Sequence, residues 1–277
     1  MRAGPVLLAA GLAAACGRAP VLEEYSYARG FAGEARLHAE VEYAAGRLRI
    51  SPSRSGALFE MSLQYDAERF RPIGNLTPEG TVRLGAESLR EGGVRLGRGS
   101  RPQIAEIGFA PQPALDLRVV IGAAEADLDL GGLRLERLRL TTGASRSQVR
   151  FLQPNPGDCA LVEASSGAGE LRIERAGNSS CAEWRFDGGI GKITLDLAGA
   201  WRGDPRFDLN LAVGGAVLLV PREMGVRVTM EGLVAKFDGQ GFQQSDRTWT
   251  SEGFDQAMRK AEVAVRSAVG GLRVEWK

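Results

Sequence analysis

Cys159 and Cys181 stand 22 residues apart, too far for a short-spaced pair of metal ligands. A disulfide needs Cα atoms about 4.4–6.8 Å apart, and neighbouring strands lie about 4.8 Å apart. A bridge between equivalent positions of successive strand units is therefore expected, provided the chain works in an oxidising compartment. Histidine chemistry has one candidate, His38, between Leu37 and the Ala39–Glu40 pair. No partner motif accompanies it, so it reads as a solvated side chain on the polar face of a strand. Five aspartates (Asp127, Asp129, Asp187, Asp196 and Asp208) recur at similar places in successive phrases. Stacked, they would suit calcium or acid–base work on a glycan. Alternation with Arg134, Arg150, Arg172 and Arg185 is instead the pattern of a solvent-facing surface. No metal and no cofactor is expected.

Two further stretches invite a function. "GGIGKIT", residues Gly188 to Thr194, has a Gly-Lys pair, but a phosphate loop needs glycine five residues earlier and Ser or Thr directly after the lysine. Phe186 and Ile193 occupy those places and a strand follows, so nucleotide binding is rejected. Trp201 lies beside Arg202 in "AGAWRGDPRF", where no strand face obliges burial. Trp and Arg concentrate binding energy at interfaces, which makes Trp201 and Arg202 the candidate partner contact. The plainer reading is that Trp201 folds back as a plug. Trp184, Trp249 and Trp276 read as core.

The elements that position these residues are strands. Glycine turns run into alternating apolar residues in "VIGAAEADLDL", "TTGASRSQVRF", "SSGAGELRI", "DGGIGKITLDL" and "AVGGAVLLV". Their leading glycines, Gly122, Gly143, Gly167, Gly189 and Gly214, are 21 to 25 residues apart. Apolar residues at every second position give a strand with one buried face, and a period near 23 marks stacked units that bury their apolar sides against each other. A β-solenoid-like stack is expected, with a sandwich as the open alternative. "LGGLRLERLRL" reads as two strands meeting near Glu136–Arg137. The more irregular first half should hold strands around Leu37–Ile50, "ALFEMSLQYDAERFRP" and "GTVRLGAESL", with an irregular crossing over Gly93–Pro113. "TSEGFDQAMRK", with Ser251 as a cap, predicts one short helix near the end. A turn at Gly270–Gly271 should then lead to a closing strand.

Lys plus Arg is 35 against 34 Asp plus Glu, a net charge of +1, which leaves no basic footprint for nucleic acid. Gly is 37 and aromatics only 6%, a composition of many turns between short strands. The opening "MRAGPVLLAAGLAAAC" has a positive start, a short apolar run and small residues at a cleavage site, which is an export signal over residues 1–15. Its apolar run is too short to span a bilayer. The stretch resembles a bacterial lipoprotein signal with Cys16 as the lipidated residue. It departs at Ala13, where that pattern usually has Leu, and the alternative is an ordinary cleaved signal. The expected organisation is a tether over 16–33, an N-terminal β region over 34–112 and the repeat region over 113–277.

"AEVEYAAGRLRISPSRSGALFEMSLQYDAERFRP", the repeated "GAGELRI" phrases, and the ending "VPREMGVRV", "GFDQAMRKAEVAV" and "VGGLRVEW" together resemble the bacterial toast-rack envelope proteins. That family includes the exported portion of cell-wall-active antibiotic response proteins. The resemblance implies an all-β stacked or toast-rack fold, a role in envelope stress sensing or partner binding, and no catalytic residues. It differs in having a lipid-type leader where the response proteins have several transmembrane helices. The expected protein is a non-enzymatic envelope binding or scaffold module. It would be an outer-membrane or cell-surface lipoprotein anchored through Cys16, facing the periplasm or the exterior, with an envelope protein as partner. The alternative is an envelope glycan-acting enzyme using stacked carboxylates.

Overall fold

The segment Ala114–Asp129 is a single strand of 16 residues, which would be about 50 Å long if straight. The next strand, Leu135–Arg150, lies beside it in parallel. Only residues 130–134 connect them, and they reach about 18 Å at most. Yet the Leu115 N–H donates to Arg134 O (2.8 Å) at one end, and the Leu130 N–H donates to Arg150 O (2.9 Å) at the other. Both ends of each strand must therefore lie close together, so every strand is folded back on itself at mid-length.

This arrangement comes from a computed structural model that describes residues 21–89 and 103–277, with the backbone alone for 233–235. Its strands are β1 (Leu22–Gly30), β2 (Arg36–Pro52), β3 (Ala57–Asp66), β4 (Phe70–Leu76), β5 (Thr81–Ser88), β6 (Ile104–Phe109) and β7 (Ala114–Asp129). There follow β8 (Leu135–Arg150), β9 (Cys159–Glu174), β10 (Cys181–Asp196), β11 (Arg206–Val220), β12 (Met224–Asp238), β13 (Phe242–Ser245), β14 (Thr248–Ser251) and β15 (Arg259–Trp276). All belong to one sheet, whose main path runs β1-β3-β6-β2-β7-β8-β9-β10-β11-β15-β12-β14-β13. From β2 to β12 every neighbouring pair on that path is parallel. An up-and-down sandwich would pair its strands antiparallel, so the fold is a stack of bent coils: all-β and solenoid-like. The expected signal peptide over 1–15 and Cys16 lie outside the described residues, as do residues 93–102 of the expected crossing.

The bend shows in the burial pattern. In β7, Leu117, Val119 and Ile121 are buried, then the phase slips by one residue and Ala124, Ala126 and Leu128 are buried. The slip keeps both halves pointing inward after the chain has turned. Register then lines up the core in ladders, such as Leu117, Leu138, Val162, Trp184, Phe207 and Val263 on one face. Leu128, Val149, Ile173, Leu195, Leu218 and Val274 form another on the opposite face. All twelve are buried, and each fully buried aliphatic side chain contributes about 1.5–3 kcal/mol.

Glycine permits the close approach at the bend. At Gly214 φ is +139°, and a Cβ there would sit 1.9 Å from the carbonyl oxygen of Gly191. The glycines form two rows. Gly122, Gly143, Gly167 and Gly189 follow one another, while Gly169, Gly191, Gly214 and Gly270 form a second row. Gly214 is thus the register partner of Gly191 and not the successor of Gly189.

Several expectations are corrected. The corner expected at Glu136–Arg137 lies at residues 130–134, where Asp129 Oδ1 accepts the Gly131 N–H at 3.1 Å. Leu22–Gly30, expected in a tether, forms β1 on β3, and Ile104–Phe109, expected in a crossing, is β6 between β2 and β3. The boundary expected at residue 112 is bridged by in-register pairing of β2 with β7, so the sheet is continuous there. No helix forms over "TSEGFDQAMRK": Phe254–Gln256 make one 3-10 turn. Ser251 Oγ accepts the Val226 N–H at 2.9 Å inside the sheet instead of capping a helix. Gly270 and Gly271 are not a hairpin turn but the bend of the continuous strand β15, which inserts between β11 and β12.

Both ends of the stack carry antiparallel strands. β2 is covered by β5 on one half and β6 on the other, backed by β4 and by β3 with β1. At the other end β14 pairs with β12 at Arg227–Thr229 and β13 pairs with β14. There Phe237 stacks on Trp249 with ring centroids 5.0 Å apart, and Phe242 stacks on Trp276 at 5.6 Å. Such caps blunt the end-to-end addition of further coils.

Candidate binding surface

The coils present two long faces, an edge of bends and an edge of connecting turns. The turn edge holds the expected disulfide. Cys159 and Cys181 begin β9 and β10, are register partners, and are bonded with Cα atoms 4.2 Å apart. Next to them runs an asparagine network that no motif in the sequence announces. Buried Asn155 donates through Nδ2 to Leu135 O (2.8 Å) and Ser179 O (2.9 Å). Buried Asn178 donates to Phe151 O at 2.8 Å and accepts the Ala200 N–H at 3.0 Å. These side chains supply the partners that turn backbone needs when it is taken out of water. The signal was present: Asn155 and Asn178 lie 23 residues apart, just ahead of the two cysteines.

Trp201 and Arg202 reach the same edge. The Trp201 Nε1–H donates to Leu197 O at 2.7 Å, and its ring packs edge-on against Trp184 and Phe207. Trp184 is buried between Phe186 and Phe207. Arg202 donates to Asn155 O and Gly157 O, both at 2.8 Å, and to Asp158 at 3.2 Å. The chain's own turns therefore engage the polar atoms of both residues, while the Trp201 indole is half-buried.

The faces carry charge in columns set by register. One column reads His38, Asp116, Arg137, Leu161, Glu183, Arg206, Glu262, Arg227. In-register parallel strands would place like residues about 4.8 Å apart, and alternation of sign removes the repulsion that identical coils would meet. His38 is half-exposed, with Nδ1 3.9 Å from Asp116 Oδ2, as expected of a solvated histidine.

The five aspartates do not stack. No two are register partners: Asp127 pairs with Gln148, Asp129 with Arg150, Asp187 with Asn210, Asp196 with Leu219 and Asp208 with Arg185. Asp127 accepts both bonds of Arg150 NH2 at 2.6 and 2.7 Å, and Asp208 those of Arg266 NH2 at 2.6 and 2.8 Å. Asp187 accepts from Asn210 at 2.9 Å, and Asp129 caps its own turn. Asp196, expected in water, is only 6% exposed and accepts Lys277 Nζ at 2.8 Å and the Ala198 N–H at 3.0 Å. Among the described residues, no group of three or more His, Cys, Asp or Glu is placed to hold a metal ion. No helix among them is long and apolar enough to cross a membrane.

A family model described as the N-terminal domain of toast_rack, DUF2154, matches residues 23–174. No curated protein matches the chain. Among solved structures, the chain is similar to a "putative cell adhesion protein" from Clostridium sporogenes, at 14% identity and a TM-score of 0.48, covering 93% of this chain and 100% of that one. It is also similar to a "putative adhesin" from Bacteroides fragilis, at 12% identity and a TM-score of 0.44, covering 94% of this chain and 100% of the other.

Proposed function

This chain belongs to the toast-rack family, and from that premise we propose that it is a non-enzymatic binding or scaffold module of the bacterial cell envelope. It is exported by residues 1–15 and held to the membrane through lipid on Cys16. The observation that carries the reading is the state of its carboxylates. Each of the five aspartates that a glycan-cleaving site would draw on is bonded to an arginine, a lysine, an amide or a backbone N–H, and no two face each other in register. The disulfide supports an oxidising compartment. A rigid stack with satisfied faces suits recognition by shape and surface charge, including a part in envelope stress sensing. The half-exposed indole of Trp201, beside Arg202, is our assignment for the contact with an envelope protein partner.

The test is crosslinking in the living source cells, followed by affinity recovery of the chain and mass spectrometry. One stoichiometric envelope protein is expected, together with a mature chain that begins at Cys16 and carries acyl groups. Recovery of the chain without another protein, or release of sugar fragments from offered cell-wall glycan, would overturn the binding reading. An unmodified amino terminus would overturn the anchor.

A further inference from the structure

The bend edge changes character along the stack. In β8 and β9 the outermost residue of the bend is Ala144 and Ala168, but in the next three strands along the stack it is Ile190, Val213 and Val269, mutually in register. These three are 64%, 48% and 50% exposed, so they form an aliphatic ridge in water about three strands long. Beside it runs a shallow, open groove of about 670 Å³ floored by small residues, including Gly188, Gly189, Ala212 and Ala268. The far bank of the groove is one register row: Asp187, Asn210, Arg266, Glu231. Arg266 is occupied by Asp208 and Asn210, which leaves the bank acidic at its two ends. On the other side of the ridge the equivalent row reads Lys192, Gly215, Gly271, Lys236, basic at its two ends. Glu231, Lys192 and Lys236 are exposed, and no ion pair among the described residues accounts for them.

We propose that this edge binds a second copy of the chain, with the two-fold axis parallel to the stack, each ridge seated in the other's groove. Two copies meeting face to face must be related by an axis lying in the interface plane, because an isologous contact uses the same patch twice. An axis across the stack would set ridge on ridge, groove on groove and acidic bank on acidic bank. An axis along the stack exchanges the two sides of the ridge while keeping each strand at its own level. Ridge then meets groove, Asp187 faces Lys192 of the partner subunit, and Glu231 faces Lys236 of the partner subunit. Shape and charge select the same axis independently. An exposed aliphatic row beside a glycine-floored channel is the kind of surface that marks an interface. The contact is lateral and leaves the capped ends of the stack free, so it closes as a dimer and does not propagate.

The experiment uses the purified chain in sedimentation equilibrium over a range of concentrations. A dimer is expected, weakened by high salt, since its ion pairs lie at an exposed rim. Val213→Arg should weaken association at least tenfold with an unchanged melting curve. Glu231→Lys should weaken it severalfold, and adding Lys236→Glu should restore it. Orientation is read in a Cys16→Ser background with a short bismaleimide. Ile190→Cys should crosslink to itself. An axis across the stack through Val213 would instead join Ile190→Cys of one copy to Val269→Cys of the other. A monomer at every concentration, a dimer indifferent to Val213→Arg, or the Ile190–Val269 crosslink would each overturn the proposal. These measurements need no other protein, so their failure is separable from failure of the envelope-binding reading.

Discussion

Cys159 and Cys181 are register partners on adjacent parallel strands, one coil apart, with Cα atoms 4.2 Å from each other and their sulfurs joined. The bridge closes a loop of one coil beside the Asn155–Asn178 network. Closing a loop of about that length restricts the unfolded chain by about 3 kcal/mol. Reduction with dithiothreitol, or the Cys159→Ser/Cys181→Ser pair, should therefore lower the melting temperature by about 6–12 °C while leaving the far-ultraviolet strand signal intact. A melting curve unmoved by reductant would show that the neighbouring coils alone fix this loop.

Glycine at the bends is required where a carbonyl of the previous coil occupies the space of a side chain. Gly214→Ala should destabilise by more than about 2 kcal/mol, since φ of +139° and a 1.9 Å approach to Gly191 O both oppose it. Gly203→Ala, with nothing within 4 Å of a Cβ, should change stability by less than about 0.5 kcal/mol. Urea midpoints of the two variants, compared directly, check the claim.

Lys277 reaches over β11 to the nearly buried Asp196, at 2.8 Å, and its backbone N–H donates to Val220 O at 2.8 Å. Lys277→Met should cost about 1–3 kcal/mol, because it leaves a buried carboxylate with one partner fewer. Asp196→Asn in the same background should recover part of that loss. A double-mutant cycle by denaturant titration measures the coupling.

Burial raises the Tyr43 hydroxyl well above the usual tyrosine value, outweighing the opposite pull of the nearby Arg47 N–H, and among the described residues the hydroxyl has no well-formed hydrogen bond. A folded-state pKa above the unfolded one gives stability that is complete below the unfolded value of about 10. That stability falls as pH rises past it. The urea midpoint should hold from neutral pH to about 9.5 and then decline. Tyr43→Phe should change little at pH 7, where it removes an unpaired buried hydroxyl, and should flatten the decline above pH 10.

Much of the fold was legible because strand burial leaves a local mark. Alternation such as Leu171–Ile173 and Ile193–Leu195–Leu197 records which face is dry, and a recurrence near 23 residues records that one coil is stacked on the next. The cysteine pair follows from that period together with an oxidising compartment. The Gly270–Gly271 pair misled for a physical reason: a glycine in a hairpin turn and a glycine in a bent continuous strand look the same in sequence. Only the neighbouring coil shows that the chain goes on. The asparagines went unread because turn residues are expected to be polar, and nothing local says that these two are buried.

Residues within about one coil of each other were enough to specify the repeat strands, their apolar face, the period and, in an oxidising compartment, the disulfide. The tertiary structure alone decided which coil lies against which. The insertion of β15 between β11 and β12 pairs Arg206 with Glu262 and Met224 with Arg259, and no local pattern encodes that. The same register assigns every surface charge to its column. It turns five aspartates that recur in sequence into five separate, partnered carboxylates, and it lines up Ile190, Val213 and Val269 as one ridge. Pairing of backbone hydrogen bonds across the sheet, a long-range property, converts a list of similar phrases into a particular surface.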